Sequence, residues 1–255
     1  MNSYSIRDVW SATVLAGIFA LGLARGQDQP PAGTWESTLT LGANVTRGNS
    51  ETLLLNGSLA AQRKVDDHEV RLGAQANYGE TQTTAADGSK DTQKNVQNSR
   101  AFAEYKRLLG TRTYGYINTE LSEDDIAGLD YRFMIGPGLG YYAIKTESQN
   151  LGLELGLTYI REKEDAETDD QLALRLAERY EAKLSATAKA WQFAEYLPET
   201  SDLHNYLLNA EAGVEAAVNT SVNLRLVLQD KYDSQPAQGK ERNDLLLIAG
   251  LRWRL

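Results

Sequence analysis

Strict alternation of apolar and polar residues over many short segments is the feature that most constrains the fold of this chain. From Leu129 to Tyr141 the odd positions are bulky and apolar except for Pro137, whereas the even positions are mostly charged or glycine. Residues 151–159 repeat this pattern, with leucine or tyrosine at the odd positions. A period of two places the two sets on opposite faces of a β-strand. Such strands, filling a chain behind an export signal, are typical of a transmembrane β-barrel.

The first 26 residues have the features of a secretory signal peptide. Arg7 supplies a basic segment, residues 13–23 are apolar, and Ala24-Arg25-Gly26 places small residues at both cleavage-recognition positions. The apolar stretch is shorter than the roughly 20 residues that a transmembrane helix needs. A buried helix of a cytosolic protein is the alternative. We therefore predict a signal peptide over residues 1–26, a linker over 27–32 and a β-barrel domain over 33–255.

Composition excludes several kinds of site. The net charge is −9, which disfavours binding to nucleic acid because that binding depends on cationic neutralisation of phosphates. The absence of cysteine excludes disulfides, thiolate metal sites, a cysteine nucleophile and a lipoprotein anchor. The only histidines are His68 and His204, which leaves little for metal or acid–base chemistry. We predict no catalytic residue, no metal site and no cofactor.

Twelve segments fit the strand pattern, and turn signals separate them. An even number of strands, both termini in the periplasm, short periplasmic turns and longer extracellular loops are expected of a single antiparallel outer-membrane barrel. Closure also removes the open sheet edges that lipid cannot hydrate. A soluble periplasmic barrel or sandwich, with its apolar residues inside, is the alternative. The predicted strands are 33–47, 51–64, 68–82, 95–107, 111–122, 129–143, 150–161, 170–183, 188–197, 203–217, 220–232 and 243–255.

The last strand also carries an assembly signal. Residues 250–255 resemble the carboxy-terminal segment by which outer-membrane barrels are recognised for insertion, although this chain ends in leucine rather than an aromatic residue. We therefore expect two partners, the outer-membrane lipid and the outer-membrane assembly machinery, with the latter bound through the C-terminal strand.

The sequence as a whole resembles the salt-induced outer-membrane proteins, a bacterial family also described as domain of unknown function 481. The resemblance covers nearly the whole mature chain. It implies location in the Gram-negative outer membrane and an association with salt or osmotic stress, but no reaction, ligand or catalytic residue. The matching pieces are Trp35, Gly48–Thr52, Leu129–Arg132, Gly136–Tyr141, Tyr196–Pro198 and Asp244–Gly250.

Charged residues of both signs share the polar face of the predicted strands. Barrels of about eight strands are filled by side chains, and those of roughly sixteen leave an open channel, so twelve strands predict a narrow or plugged lumen. A narrow channel for small solutes or ions and a plugged structural barrel without transport both fit. The side chains predicted to face inward are Arg71, Arg100, Arg132, Arg175, Arg179, Arg225, Arg252 and Arg254, with Glu36, Glu104, Glu120, Asp130, Glu154, Glu181, Glu211 and Glu215.

Two further patterns concern the rim of the barrel. Asp124, Asp125 and His204 include the carboxylates and the imidazole that can activate water, so an outer-membrane hydrolase is a third alternative, although neighbouring acids in a loop are usually solvated. We take the chain not to be an enzyme. The acidic stretch 162–169 lies in a predicted outer loop, where its charge would concentrate cations near the mouth.

Three alternating glycines, Gly136, Gly138 and Gly140, lie on the inward face of one predicted strand. No helix follows them, so a phosphate-binding loop is excluded. Glycine within a strand marks a close approach of another group. We expect a bulky neighbour or sharp coiling of the strand to fill this space in the lumen.

Overall fold

The computed structural model describes residues 33–46, 50–85, 89–164 and 167–255. Over these residues the chain forms one closed antiparallel barrel of twelve strands. The signal peptide and linker predicted over residues 1–32 lie outside the described residues. In the described part of the chain, no helix has the length and apolar character needed to cross a membrane. The strands are β1 (Trp35–Thr46), β2 (Ser50–Val65), β3 (His68–Thr84), β4 (Lys90–Leu108), β5 (Thr113–Asp124), β6 (Leu129–Lys145), β7 (Gln149–Glu164), β8 (Glu167–Lys183), β9 (Ala188–Pro198), β10 (Tyr206–Ala217), β11 (Val222–Asp233) and β12 (Asn243–Arg254).

Each strand pairs with its neighbours in sequence, and β1 pairs with β12 to close the barrel. In that closing pair, Leu41 is opposite Leu251 and Thr38 is opposite Arg254. We call the rim where β1 begins and β12 ends the terminal rim, and the other the opposite rim. The connectors 199–205 and 234–242 both lie at the opposite rim, as the sequence predicted for the outer side.

One predicted loop is strand instead. The segment 162–169 was expected to be a solvated acidic connection, but β7 continues to Glu164 and β8 begins at Glu167. Cross-strand ion pairs stabilise this extension, because opposite charges on neighbouring strands attract. Lys163 Nζ on β7 lies 2.7 Å from Asp130 Oδ2 on β6. The hairpin therefore projects toward the opposite rim as ordered strand, with polar residues on both faces.

The outer wall of the barrel is apolar. Leu155 is 55% exposed and Leu224 is 54% exposed, values that exclude burial of this face inside the protein. Leu153, Leu226 and Leu251 are also exposed large apolar residues. A soluble barrel would bury these side chains, since large contiguous apolar surfaces mark contact with a protein or a membrane. The alternation therefore turns the apolar set outward, as in barrels that face lipid.

Two tyrosines occupy the space that glycines leave in the inner wall. A Cβ atom at Gly138 would lie 2.2 Å from Tyr116 Oη, and one at Gly140 would lie 2.2 Å from Tyr114 Cζ. Both rings are buried, and their centroids are 6.5 Å apart. The predicted filling of the lumen beside these glycines is confirmed, because the tyrosine rings of β5 occupy the space where side chains at Gly138 and Gly140 of β6 would lie.

Candidate functional site

A cavity of about 590 Å³ occupies the lumen. At the terminal rim its lining includes Asp67 and His68, both of which are exposed. At its deep end the lining includes Met134, Thr158 and Leu197, which are buried. The cavity is therefore a vestibule that begins at the terminal rim and reaches past the middle of the barrel.

The structure places most of the predicted inward charges on the inner wall. Arg132 and Glu154 have side chains that are mostly buried and bond to other lumen residues. The cavity is lined by Arg175, Arg179, Glu181, Glu211, Glu215, Arg225 and Arg252.

Asp130 is a correction to the predicted set. A register irregularity between Leu129 and Tyr131 interrupts the pairing of β6 with β7, and it shifts the face on which Asp130 lies. Its Oδ2 is 2.7 Å from Lys163 Nζ, and its side chain is about half exposed. Asp130 therefore lies on the outer side of the barrel, because a bulge breaks the strict alternation used to place it.

Six charged side chains form a continuous chain of alternating sign around half of the lumen. We call it the ion ladder. It begins with Arg71 Nη1, 3.4 Å from Glu104 Oε1, and continues through Lys106 Nζ, which is 3.4 Å from Glu104 Oε1 and 2.9 Å from Glu154 Oε1. Arg175 Nη1 then donates to Glu154 Oε2 at 2.8 Å, and Arg175 Nε donates to Glu195. The ladder runs from β3 to β9 and contains three cations and three carboxylates: Arg71, Glu104, Lys106, Glu154, Arg175 and Glu195.

The two buried tyrosines support the middle of the ladder. Tyr114 Oη donates a 2.9 Å hydrogen bond to Glu154, and Arg175 Nη1 donates one of 2.7 Å to Tyr116 Oη. The guanidinium carbon of Arg175 lies 5.1 Å from the centre of the Tyr116 ring. Burial of paired charges is tolerated only when further hydrogen bonds satisfy them, and the tyrosines provide those bonds.

A second charged group lies on the wall formed by β9 to β12. Arg252 Nη1 donates to Glu215 at 2.8 Å, and Arg225 Nη2 lies 3.5 Å from Glu211. Arg225 also stacks on the Trp191 ring at 4.5 Å. From this wall Gln229 reaches across the lumen and accepts a hydrogen bond of 3.1 Å from Gln75 on β3.

Near the opposite rim, polar contacts and a packed layer narrow the lumen. Arg132 Nη2 on β6 donates to Asp233 on β11 at 2.9 Å, and Asp124 on β5 lies 3.9 Å from Lys231 on β11. We call these four residues the constriction. An apolar layer lies directly below Arg132 on the terminal-rim side. It consists of Met134, Ile160, Ala173, Leu197 and Leu207, all buried.

The acidic mouth predicted from residues 162–169 is smaller than expected. Glu162 accepts a hydrogen bond from Arg132, and Glu164 Oε1 lies 3.3 Å from Arg132 Nη2. These two carboxylates therefore neutralise a lumen arginine and do not stand free at the rim. Asp165 lies outside the described residues, whereas Glu167 and Asp169 are exposed.

The candidate hydrolase residues do not assemble. His204 is 98% exposed, and its Nδ1 lies 3.3 Å from Asp202. Asp124 is buried in the constriction instead. The other histidine, His68, contacts the Tyr105 hydroxyl at the terminal rim. Among the described residues, no group of three or more histidine, aspartate or glutamate side chains is placed to hold a metal ion.

Several lumen residues are absent from the predicted set. Lys106 and Glu195 belong to the ion ladder, and their strand parity matches that of neighbours that do face inward. Glu195 shares its face of β9 with Trp191 and Phe193, and these large aromatic residues hide the polar character of that face. Only the structure shows that aromatic rings in this lumen stack on arginines.

Comparison with known proteins gives the family. The model of a family described as protein of unknown function, DUF481, matches residues 39–253. The chain belongs to this family. Comparison with curated protein sequences finds no relative.

Solved structures of outer-membrane proteins align with this chain at low sequence identity. A structure of the NanC porin aligns with a TM-score of 0.54 and 7% identity, covering 86% of this chain and 100% of that one. An outer-membrane channel from Pseudomonas putida F1 aligns with a TM-score of 0.48 and 10% identity, covering 92% and 100%. The KdgM porin aligns at 0.45 and 8%, covering 87% and 99%. The similarity to the NanC porin supports the barrel fold of this DUF481 protein.

Proposed function

We propose that this protein is an outer-membrane channel for small polar solutes or ions, with its lumen held narrow by the constriction and the apolar layer. The observation that carries the proposal is the vestibule of about 590 Å³, lined by charged and polar side chains inside an apolar outer wall. The similarity of its fold to that of the NanC porin agrees with this function.

The proposal includes the orientation and partners of the barrel. The terminal rim faces the periplasm, the signal peptide directs export, and β12 carries the contact with the assembly machinery. The apolar outer wall contacts outer-membrane lipid. A link to salt stress also belongs to the proposal, because ion pairs at a constriction weaken as ionic strength rises.

A plugged barrel without transport is the second candidate. The contacts that cross the lumen favour it, notably the pair of Arg132 and Asp233 at 2.9 Å. If these contacts never open, the vestibule is a closed pocket and the barrel serves as a structural or interaction protein of the envelope.

Single-channel recording in planar bilayers distinguishes the two candidates. The wild-type chain should give small, discrete current steps. Leu207→Ala, which removes a side chain of the buried apolar layer, should increase the conductance. Leu208→Ala is the matched control, because Leu208 is the next residue on β10 and is exposed on the outer wall.

Correct folding of each variant is checked first by the mobility of the unheated protein in gels. Discrete steps that grow in Leu207→Ala and not in Leu208→Ala support the channel. A silent bilayer for all three folded proteins would overturn the channel and support the plugged barrel.

A further inference from the structure

Arg179 on β8 differs from the other arginines that line the vestibule. Arg71, Arg100, Arg175, Arg225 and Arg252 each lie within 4.0 Å of a carboxylate oxygen. Among the described residues, Arg179 has no such partner, and its buried Nε has no hydrogen-bond acceptor. A buried donor without a partner costs free energy, so this guanidinium is expected to bind an acceptor that the chain itself does not supply.

The charge balance around Arg179 points to the sign of that acceptor. The ion ladder is neutral, with three cations paired to three carboxylates. Arg179 lies beside it, within electrostatic range of both Arg71 and Glu104. The ladder and Arg179 together therefore carry one cation more than the carboxylates of the ladder balance, and the further acids that act on Arg71 are Glu69 and Glu181 at the terminal rim. The closest acid on the same strand face, Glu181, is exposed at the terminal rim and makes no ion pair in the described part of the chain.

Aromatic rings fix the orientation of the two guanidinium groups. Arg179 lies over the ring of Phe193 at 4.9 Å, and Arg71 lies 6.0 Å from the centre of the Phe102 ring. Stacking uses the face of a guanidinium and leaves its in-plane N–H groups free to form hydrogen bonds. These N–H groups match the oxygens of a carboxylate or a phosphate, which bind arginine through paired hydrogen bonds.

Arg71 and Arg179 also lie close enough for their charges to interact, and both border the accessible space of the vestibule. β3 and β8 are not neighbours in the barrel, and both side chains line the same cavity. A small molecule that enters from the terminal rim therefore meets both of them before it reaches the constriction.

We propose that Arg71 and Arg179 form the two sides of a binding site for a small organic anion, one that bears a carboxylate or phosphate group. The aromatic rings beside them accept an apolar or ring portion of the same molecule. The site deepens the proposed channel function by naming the class of solute, and it rests on that function for its physiological meaning.

Isothermal titration calorimetry of the purified full-length chain, folded in detergent, tests the site directly. The probes are benzoate, which joins a carboxylate to a ring, and inorganic phosphate. Benzamide is the uncharged comparison. Benzoate should bind with a stoichiometry of one, whereas benzamide should give no saturable heat.

Variants assign the binding to the site. Arg179→Gln should weaken benzoate binding by about tenfold or more, the loss expected for hydrogen bonds to a charged group. Arg179→Lys should give an intermediate affinity, because it keeps the charge and loses the paired geometry. Glu181→Gln should strengthen binding, since it removes a competing acid from the vestibule.

Arg161→Gln is the matched control, because it removes the same group from the outer wall, where the Arg161 side chain is 49% exposed. Unchanged benzoate affinity in Arg179→Gln, or no saturable binding of benzoate and phosphate to the folded wild type, would overturn the site. Binding is measured without any current. A barrel that binds benzoate through Arg179 but gives no current in bilayers would support the binding site and overturn the channel. A barrel that conducts but binds neither probe would support the channel and overturn the binding site.

Discussion

Arg132 on β6 and Asp233 on β11 meet across the lumen, with Nη2 and Oδ2 2.9 Å apart. Arg132 also binds Glu162 and Glu164 on the neighbouring strand β7. One arginine thus holds a carboxylate from the far wall and two from its own side. Arg132 therefore links β6 and β7 to β11 across the lumen near the opposite rim, next to the packed layer that includes Met134.

The outward placement of Leu155 gives a first prediction. Leu155→Arg should destabilise the barrel in lipid vesicles by about 2–4 kcal/mol if the residue lies near the bilayer midplane. Urea titration of the folded protein in vesicles measures the change. The control is Leu203→Arg in the connector 199–205, where Leu203 is already 64% exposed and no lipid contact is lost. Equal stability of Leu155→Arg and wild type would show that this face does not contact lipid.

The contact of Gly140 with Tyr114 gives a second prediction. A methyl group at Gly140 would lie 2.2 Å from Tyr114 Cζ, so Gly140→Ala should cost about 1–3 kcal/mol through overpacking. Urea unfolding measures it. Gly57→Ala is the control, since its nearest contact would be an ordinary 3.7 Å to Leu41.

The same contact predicts that the effects of Tyr114→Leu and Gly140→Ala on the free energy of unfolding are not additive. In a Tyr114→Leu background the ring is absent, and Gly140→Ala should then cost much less than it does in the wild type. Neighbouring residues in direct contact show such coupling in double-mutant cycles. Additive effects would mean that the ring and the glycine do not meet in the folded barrel.

Glu154 provides a third prediction because it accepts hydrogen bonds from two ladder cations and from a buried tyrosine. Lys106, Tyr114 and Arg175 all donate to its carboxylate, and its side chain is 3% exposed. Glu154→Gln removes the carboxylate that Lys106 and Arg175 share, leaves each of them with one remaining carboxylate, and should cost about 3–5 kcal/mol in unfolding free energy because the buried group then carries an uncompensated positive charge. Glu181→Gln removes an exposed acid and should change stability by no more than about 0.5 kcal/mol. A loss in Glu154→Gln no larger than in Glu181→Gln would contradict the ladder as a stabilising element.

The connector 199–205 gives a prediction about pH. The backbone N–H of His204 donates a 3.0 Å hydrogen bond to Asp202 and lowers the pKa of that carboxyl below its usual range. A lowered pKa in the folded state means that the hydrogen bond orders the connector above the ordinary pKa and is lost as pH falls through the folded value. His204→Ala keeps this backbone donor. NMR titration should therefore find a depressed pKa for Asp202 in both the wild type and His204→Ala, and an ordinary value in the wild type would contradict the assignment.

The fold follows from the sequence because its determinant is local. The period of two in residues 129–141 and 151–159 sets which face is apolar, and an even number of such strands makes the first and last strands antiparallel, as their pairing requires. The outward leucines, including Leu155 and Leu224, follow from the same rule. The strand ends are harder to predict than the apolar face. Polar residues such as Glu162 and Glu164 fit a loop, but they fit equally well a strand that extends beyond the apolar wall.

The site follows only in part, because it depends on contacts between distant strands. Parity places Arg175 and Glu154 in the lumen but cannot show that Lys106 joins them, or that Arg179 is left without a carboxylate. Asp130 fails for a different reason. A bulge shifts it by one position, and nothing in the alternation of its neighbours marks that irregularity.

The pair of Arg132 and Asp233 gives the last prediction, which concerns opening. Asp233→Asn removes the far carboxylate while Arg132 keeps Glu162 and Glu164 on its own side. The cross-lumen contact should weaken without loss of the local ion pairs. We therefore expect Asp233→Asn to open more often than the wild type in planar bilayers. Asp170→Asn is the control, because Asp170 pairs with Arg161 on the outer wall.

The dependence of the current on ionic strength distinguishes two causes of a closed lumen: attraction between Arg132 and Asp233, and steric blockage by the apolar layer. Screening shortens the reach of a charge from about 10 Å at 0.1 M salt to about 3 Å at 1 M. If attraction between Arg132 and Asp233 keeps the lumen narrow, the open fraction of the wild type should rise with salt. In Asp233→Asn that dependence should be weaker, because the screened attraction is already absent. Equal salt dependence in both proteins would instead assign the closure to the apolar layer below, and Leu207→Ala would then be the variant that increases the current.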